Sequence, residues 1–365
     1  MSNIKCLYIT YINLNSLSSG SSVRPAKIFQ ALMDFGIEVK LLSGSPKDFK
    51  MRTSHIKEIL KWLEKERPDF CYIEPSSIPM INHYDIKLLK QLGKLKIPTA
   101  YYARDIFWRF KDMNSNKNLT DIVKRKIIYL LFRRDFYVLD KMLNVIYTPT
   151  EAMLPYLPIN CTKKTLPPGC SLTDIKIKTK VNPNKLTGIY IGGLSTAYGV
   201  DILLKSIKGI NDSGYSFHLF LICRKPEWDA FKKEYSINEI PSWLEVLHIS
   251  GEEKLREYYS YSDVAFCPHR ISEYTDFAIP IKMMEYISFL KPIIASQTKT
   301  MERIIEKYNI GLLTDASSDS ISSAIKEIYD NKKLLKKFSE NCETARSDNL
   351  WKKRVTQILN DLDIH

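Results

Sequence analysis

Short apolar runs alternate along this chain with segments whose apolar positions recur at helical spacing. In the first half the runs Ile4–Ile12, Glu38–Leu42, Phe70–Ile73, Thr99–Tyr102 and Val145–Tyr147 read as buried strands. Helical patterns follow at about Ala26–Phe35, Ser54–Glu66, 82–94 and 119–143, with a short one from Glu151. In the second half strands are predicted at Gly188–Ile191, Phe217–Cys223, Leu244–His248, Asp263–Pro268 and Pro292–Ser296. Helices are predicted at about Gly199–Ile210, between His248 and Asp263, and at Pro280–Leu290, Met301–Lys307, Ser320–Tyr329 and Leu334–Thr344. Repeated strand–loop–helix units predict an α/β protein with parallel sheets. Residues 173–186 are rich in lysine, contain proline and have little apolar content, which marks a linker. The 365 residues are enough for two domains, expected at 1–172 and 173–347, with 348–365 as a closing helix.

The most informative stretch is Ser262 to Ser296: a buried strand, a polar loop, a helix and a second buried strand. Pro280 suits a helix start, where its missing N–H costs nothing. The free first-turn N–H groups, those of Ile281 and Lys282 among them, point back into the loop, and with the Lys282 ammonium they form a site for phosphate. Glu285, further along the helix, can accept two hydrogen bonds from a sugar diol such as a ribose. A plain amphipathic helix with a solvated Glu285 is the other reading. In the first half, Gly20-Ser21-Ser22 follows the first strand in a polar loop whose backbone N–H groups could face a phosphate, with Arg24 as a second anion contact. Asp105 follows the fourth strand, where a carboxylate faces the ligand crevice of such sheets. It either orients an acceptor hydroxyl or pairs with Arg104 or Arg109. His83 reads as a surface residue.

Charge sharpens the division. Residues 1–172 hold 27 Lys and Arg against 15 Asp and Glu, a surplus of 12 in a chain whose net charge is +13. A basic domain beside a neutral one points to an anionic membrane surface, a phosphorylated substrate or nucleic acid, or only to solubility. In residues 119–143, Ile122, Ile127, Tyr129, Leu130, Phe132, Phe136 and Leu139 interleave with Lys124, Arg125, Lys126, Arg133 and Arg134. That pattern fits a helix lying in a membrane interface, or a long core helix with a basic solvent face. No nucleic-acid-binding motif is present, so nucleic acid is not an expected partner. The seven cysteines are scattered without a Cys-x-x-Cys pair, which reads as reduced thiols in the cytoplasm. The start runs straight into a strand pattern, so no signal peptide is expected, and no apolar stretch reaches the roughly 20 residues of a spanning helix.

Pro280 to Pro292 resembles the donor-site signature of retaining glycosyltransferases of the GT-B fold, in particular the family-four group that builds bacterial surface polysaccharides. That pattern is Glu-x-x-Gly-x-x-x-x-Glu-Ala followed by Gly-x-Pro-Val-Ile. Here Phe277 stands at the first Glu with Asp276 beside it, Pro280 stands at the Gly, Glu285 matches the second Glu, and Lys291-Pro292-Ile293-Ile294 matches the end. The variant Pro-x-Lys-x-x-Glu-Tyr, Pro280 to Tyr286, is common in that group. Arg104-Asp105, Pro167-Pro168-Gly169 and the closing helix around Trp351, which in the family returns to the first domain, resemble further family features. The resemblance implies two Rossmann-like domains with parallel sheets facing across a cleft. It assigns the donor ribose to Glu285, makes Asp276 the candidate for the donor sugar, and sets Gly20, Ser21 and Ser22 opposite the diphosphate. The turn Gly192-Gly193 with Tyr198 departs from the family, which has Arg and Lys at the positions of Gly193 and Tyr198 to neutralise the diphosphate. Lys282, Arg224 and Arg270 are the nearest replacements by position.

The expected activity is therefore transfer of a sugar, with retention, from a nucleoside diphosphate sugar (most simply a UDP-sugar) to a hydroxyl of a glycan or lipid-linked acceptor. The expected enzyme is of hexosyl or N-acetylhexosaminyl type, cytoplasmic or peripheral on the inner face of the cell membrane, alone, self-associated or with a partner subunit. No cofactor and no metal are expected, because helix dipole and basic residues stabilise the leaving group in this fold. Asp361-Leu362-Asp363 only superficially matches a metal-binding Asp-x-Asp, since it ends a terminal helix. An inactive subunit supporting a partner glycosyltransferase, and a nucleotide-sugar epimerase, are the alternatives.

Overall fold

The computed structural model describes residues 4–14, 20–45, 48–106, 119–174 and 184–365. Most of the expected linker, and Arg109, lie outside them. The chain divides into two compact units, Met1–Pro168 with Trp351–His365, and Gly169–Leu350.

The first unit runs β1 (Lys5–Thr10), α1 (Gly20–Asp34), β2 (Glu38–Leu42), α2 (Phe49–Trp62), β3 (Phe70–Glu74), α3 (His83–Lys94), β4 (Thr99–Tyr102), α4 (Leu119–Asp140), β5 (Val145–Thr148), a 3₁₀ turn at Glu151–Tyr156, and β6 (Thr162–Thr165). The second runs β7 (Leu186–Ile191), α5 (Val200–Asp212), β8 (Phe217–Ile222), α6 (Lys225–Glu234), β9 (Leu244–Leu247), α7 (Glu252–Tyr261), β10 (Val264–Cys267), α8 (Glu273–Phe277), α9 (Ile281–Ser288), β11 (Ile293–Ser296), α10 (Lys299–Tyr308), β12 (Gly311–Thr314), α11 (Ser318–Asp330) and α12 (Lys333–Asp348). A last helix, α13 (Trp351–Asp361), belongs to the first unit.

Each unit has a six-stranded sheet, in the orders β2-β1-β3-β4-β5-β6 and β12-β11-β10-β7-β8-β9. The pairings are parallel in both. Parallel strands buried on both faces need continuous apolar sequence, and β3, β4, β5, β10 and β11 are buried at every residue. The strand order reverses between β1 and β3 in the first unit and between β7 and β10 in the second. Such a reversal parts the crossover helices and opens a crevice beyond the strands' carboxyl ends.

The helix packing on the first unit is carried by Ile28 and Leu32 of α1 together with Trp351, Val355 and Ile358 of α13, all against Tyr8, Phe70 and Tyr72. Burying each such side chain stabilises by about 1.5–3 kcal/mol. Asp361 fastens α13, accepting from the Tyr147 hydroxyl at 2.7 Å and pairing with the Lys164 ammonium at 2.5 Å. Its carboxylate is thus engaged in holding the helix to β5 and β6.

Several boundaries differ from those expected. The helix placed at Ala26–Phe35 begins at Gly20, so Gly20, Ser21 and Ser22 form its first turn rather than a loop; Pro25 lies inside the helix instead of ahead of it. The helix placed at Ser54 begins at Phe49, capped by the Asp48 carboxylate, which accepts from Met51 N–H at 3.2 Å. The polar segment after β10 contains α8, started by a reciprocal Ser272–Thr275 cap. Strands β6 and β12 lie outside the expected set: β6 is Thr-Lys-Lys-Thr, alternately exposed at a sheet edge, and β12 is the four-residue Gly-Leu-Leu-Thr.

In the first unit a buried ion pair ties α2 to α3. Arg52 is fully buried, and its guanidinium donates to Asp85 at 2.7–3.1 Å and to the carbonyls of Thr10 and Gly44. The same guanidinium lies 3.7 Å from the Tyr11 ring. Removing the carboxylate strands a buried charge, so Asp85→Ala is expected to lower the unfolding free energy by about 3–5 kcal/mol in urea denaturation. The paired change Arg52→Met/Asp85→Leu is expected to recover a large part of that loss.

Candidate functional site

The crevice of the second unit lies beyond the carboxyl ends of β7 and β10. Two turns meet there. Gly199 ends the turn after β7 with φ +63°, and a Cβ on it would fall 1.9 Å from the Pro268 carbonyl oxygen, so only glycine lets the turns touch. The Arg270 backbone N–H donates to the Ala197 carbonyl at 3.0 Å, and its guanidinium Nε to the Thr196 carbonyl at 3.0 Å.

The family's Arg and Lys positions are filled differently in space as well as in sequence. A Cβ on Gly193 would lie 2.8 Å from the Tyr198 ring. Tyr198 packs edge-on against His269, ring centres 5.2 Å apart. His269 follows β10, and burial pulls its pKa down to about 4, so it is a neutral imidazole at physiological pH. Sequence reasoning passed over His269, although a polar residue just past a buried strand is where such sheets hold ligand contacts.

The expected replacement cations each have a carboxylate. Arg270 pairs with Asp201 on α5, Arg224 with Glu227 on α6, and Lys282 with Glu285 at 2.7 Å. Arg224 stands at the N-cap of α6, where its side chain is 67% exposed. Asp276 is also engaged, accepting from the Lys299 backbone N–H at 3.1 Å and pairing with the Lys299 ammonium at 3.1 Å, so it holds the start of α10.

Pro280 is the N-cap of α9, and Ile281 and Lys282 form the first helical residues. Glu285 lies one turn on. Its Oε1 accepts from the Tyr259 hydroxyl at 2.8 Å and its Oε2 from the Lys282 ammonium at 2.7 Å. Tyr259 is fully buried on α7 and stacked on Phe289 at 3.9 Å; burial and the Glu285 charge hold its phenol pKa well above 10. Tyr286, also fully buried, accepts the Ile191 N–H at 3.0 Å, which pins α9 to the end of β7. Tyr190 donates to the Gly193 carbonyl at 2.6 Å and fixes the glycine turn. The structure thus brings Gly193, Arg270, Ile281, Lys282 and Glu285 to one end of the second sheet. The pinning tyrosines had no sequence signal beyond a surplus of tyrosine, 21 in the chain.

Gly20, Ser21, Ser22 and Asp105 belong to the first unit. Asp105 follows β4 and is partly buried. Arg24, expected to contact an anion, is instead consumed: only 2% exposed, it lies 3.2 Å from the buried Glu74 carboxylate, stacks on Tyr102 at 3.7 Å and donates to the Pro167 carbonyl. Arg104 stands 3.6 Å from the same carboxylate. Glu74 ends β3, so this buried ion pair lies at the carboxyl end of the first sheet. His83 is exposed at the start of α3.

The family described as Glycosyl transferases group 1 matches residues 173–345. No curated protein matches the chain by sequence. Sucrose-phosphate synthase from Thermosynechococcus elongatus is similar in structure with a TM-score of 0.69 at 12% identity, over 97% of each chain. WaaG, a glycosyltransferase involved in lipopolysaccharide biosynthesis, is similar with a TM-score of 0.65 at 13% identity, over 98% of this chain and 99% of its own. Anabaena Alr3699/HepE, in complex with UDP and glucose, gives 0.65 at 11% identity, over 98% of this chain and 100% of its own. The chain therefore has the GT-B fold of two Rossmann-like α/β units, and the segment that matches group 1 glycosyl transferases is the one that carries the Glu285 site.

Proposed function

We propose that this protein is a retaining glycosyltransferase that moves a sugar from a UDP-sugar to a hydroxyl of a glycan or lipid-linked acceptor, in bacterial surface polysaccharide or glycoconjugate synthesis. The observation that carries the reading is Glu285, braced by a buried tyrosine one turn into α9, inside the segment that matches the family. Glu285 accepts the ribose hydroxyls. The first-turn N–H groups of α9 and the Lys282 ammonium face the diphosphate and stabilise it as it departs. Asp276 meets the donor sugar and Asp105 orients the acceptor hydroxyl, so that catalysis is chiefly positioning and charge stabilisation. The similar Anabaena protein, solved with UDP and glucose, supports the choice of uridine.

A catalytically silent subunit that supports a partner glycosyltransferase is the second reading. The absence of cations at Gly193 and Tyr198, and the carboxylates already paired with Arg224 and Arg270, favour it.

The first unit supports a membrane-facing role. On α4, Val123, Ile127, Leu130 and Tyr137 recur along the helix and are 51–64% exposed beside Lys126 and Arg133, which are exposed too. Apolar side chains ringed by lysine and arginine suit the headgroup boundary of an anionic bilayer. Among the described residues no helix is long and apolar enough to cross a membrane.

Two measurements test these readings. In a thermal-shift panel of UDP, GDP, dTDP and CDP, UDP at a hundredfold its Kd should stabilise the wild type by about 2.7 kcal/mol. Glu285→Ala removes a charge-assisted hydrogen bond and should weaken UDP by about ten- to a hundredfold; no stabilisation by any nucleotide would leave the silent-subunit reading. In vesicle co-sedimentation, binding should require anionic phosphatidylglycerol and fall with salt. Leu130→Glu should reduce it by about tenfold or more, and equal sedimentation of both proteins would remove α4 from the contact.

A further inference from the structure

Each oxygen of Glu285 already accepts one hydrogen bond. Oε1 is held by Tyr259, whose ring is fully buried and stacked on Phe289. Oε2 is held by Lys282, three residues earlier on the same face of α9. A ribose hydroxyl that donates to Oε2 must share that oxygen with the ammonium, whose charge weakens it as an acceptor. The two holders are not alike: Tyr259 is fully buried, whereas the Lys282 side chain is 26% exposed on a flexible four-carbon stem. Lys282 is also a first-turn residue, and helical side chains lean toward the N-terminus, the end where the free N–H groups lie.

We propose that Lys282 is a specificity-determining residue whose ammonium competes with ribose for Oε2 of Glu285 and leaves it for a diphosphate, so that the site favours nucleoside diphosphates over nucleosides. The inference rests on the donor-site reading above. A diphosphate replaces the carboxylate that Lys282 gives up with a group of higher charge, and the α9 amides share the load. The exchange then releases Oε2 to the ribose at little cost. A nucleoside brings no replacement anion, so it competes with the ammonium for Oε2 without compensation. For a partly exposed ion pair that penalty amounts to a factor of about two to five in affinity. The missing cations at Gly193 and Tyr198 fit this arrangement, since phosphate recognition and ribose recognition then pass through one lysine.

The test is the dissociation constant of uridine and of UDP, by ligand-observed NMR and calorimetry, for wild type, Lys282→Met, Lys282→Arg and Lys282→Met/Glu285→Gln. The expected result has opposite signs for the two ligands. Lys282→Met binds uridine about two- to fivefold more tightly and UDP at least tenfold more weakly. Lys282→Arg moves both back toward wild type, and uridine gains nothing from Lys282→Met once Glu285 is Gln. A merely structural role for Lys282 would move both ligands the same way, and uridine bound no more tightly by Lys282→Met overturns the exchange even if UDP binds well. If wild type binds none of UDP, GDP, dTDP and CDP, the donor site itself falls and the exchange with it; if another base is selected, its nucleoside and diphosphate replace the uridine pair.

Discussion

Parallel strand pairing is the constraint from which the rest of this structure follows. Parallel strands share a direction, so each needs a crossover, and every strand-to-helix turn of a sheet falls on one edge. The chain can therefore keep its central strands largely apolar and put its chemistry at or just past the strand ends. Glu74, Arg104, Gly193, Arg224 and His269 all stand there. The two crevices opened by strand-order reversal have different surroundings. At the carboxyl end of the first sheet Arg24 and Glu74 form a buried ion pair. In the second unit the crevice is bordered by a glycine turn, a tyrosine and a neutral histidine.

Tyrosine hydroxyls give the second unit's turns their fixed shape. Tyr190, Tyr259 and Tyr286 bury an aromatic body in the core and spend one polar atom on the Gly193 carbonyl, Glu285 and the Ile191 N–H respectively. A buried ring anchors strongly, and its hydroxyl must find a partner, so one residue supplies both stability and aim. Charged groups play the opposite part. Lys282, Arg224 and Arg270 keep solvent access and ordinary ion pairs, which can be exchanged without opening the core. Buried tyrosines therefore hold the turns and the Glu285 carboxylate, while the cations beside them keep solvent access.

The order of strands and helices was legible because periodicity is local: each apolar position reports its own side of an element. Thr99–Tyr102 was read to the residue, and Pro280 marked the start of α9. Glu285 was legible for the same reason, since its distance from Pro280 along a helix sets its place in space. The boundary errors came from residues whose meaning depends on context. Pro25 reads as a helix start yet lies within one, and the capping pair of α8 looks like loop composition.

What the sequence could not decide is partnership. Arg24 and Arg270 both look like free cations along the chain. Only the fold brings Arg24 to Glu74, far along the sequence, and Arg270 to Asp201, 69 residues away. The first becomes a buried structural charge and the second a solvent-accessible pair, because burial and ion pairing are set by distances in space that no local pattern encodes. The sequence by itself determined that this would be a two-unit parallel α/β chain with a carboxylate one turn into a proline-started helix. The tertiary structure alone decided which cations remain available to a ligand and which hydroxyl holds that carboxylate in place.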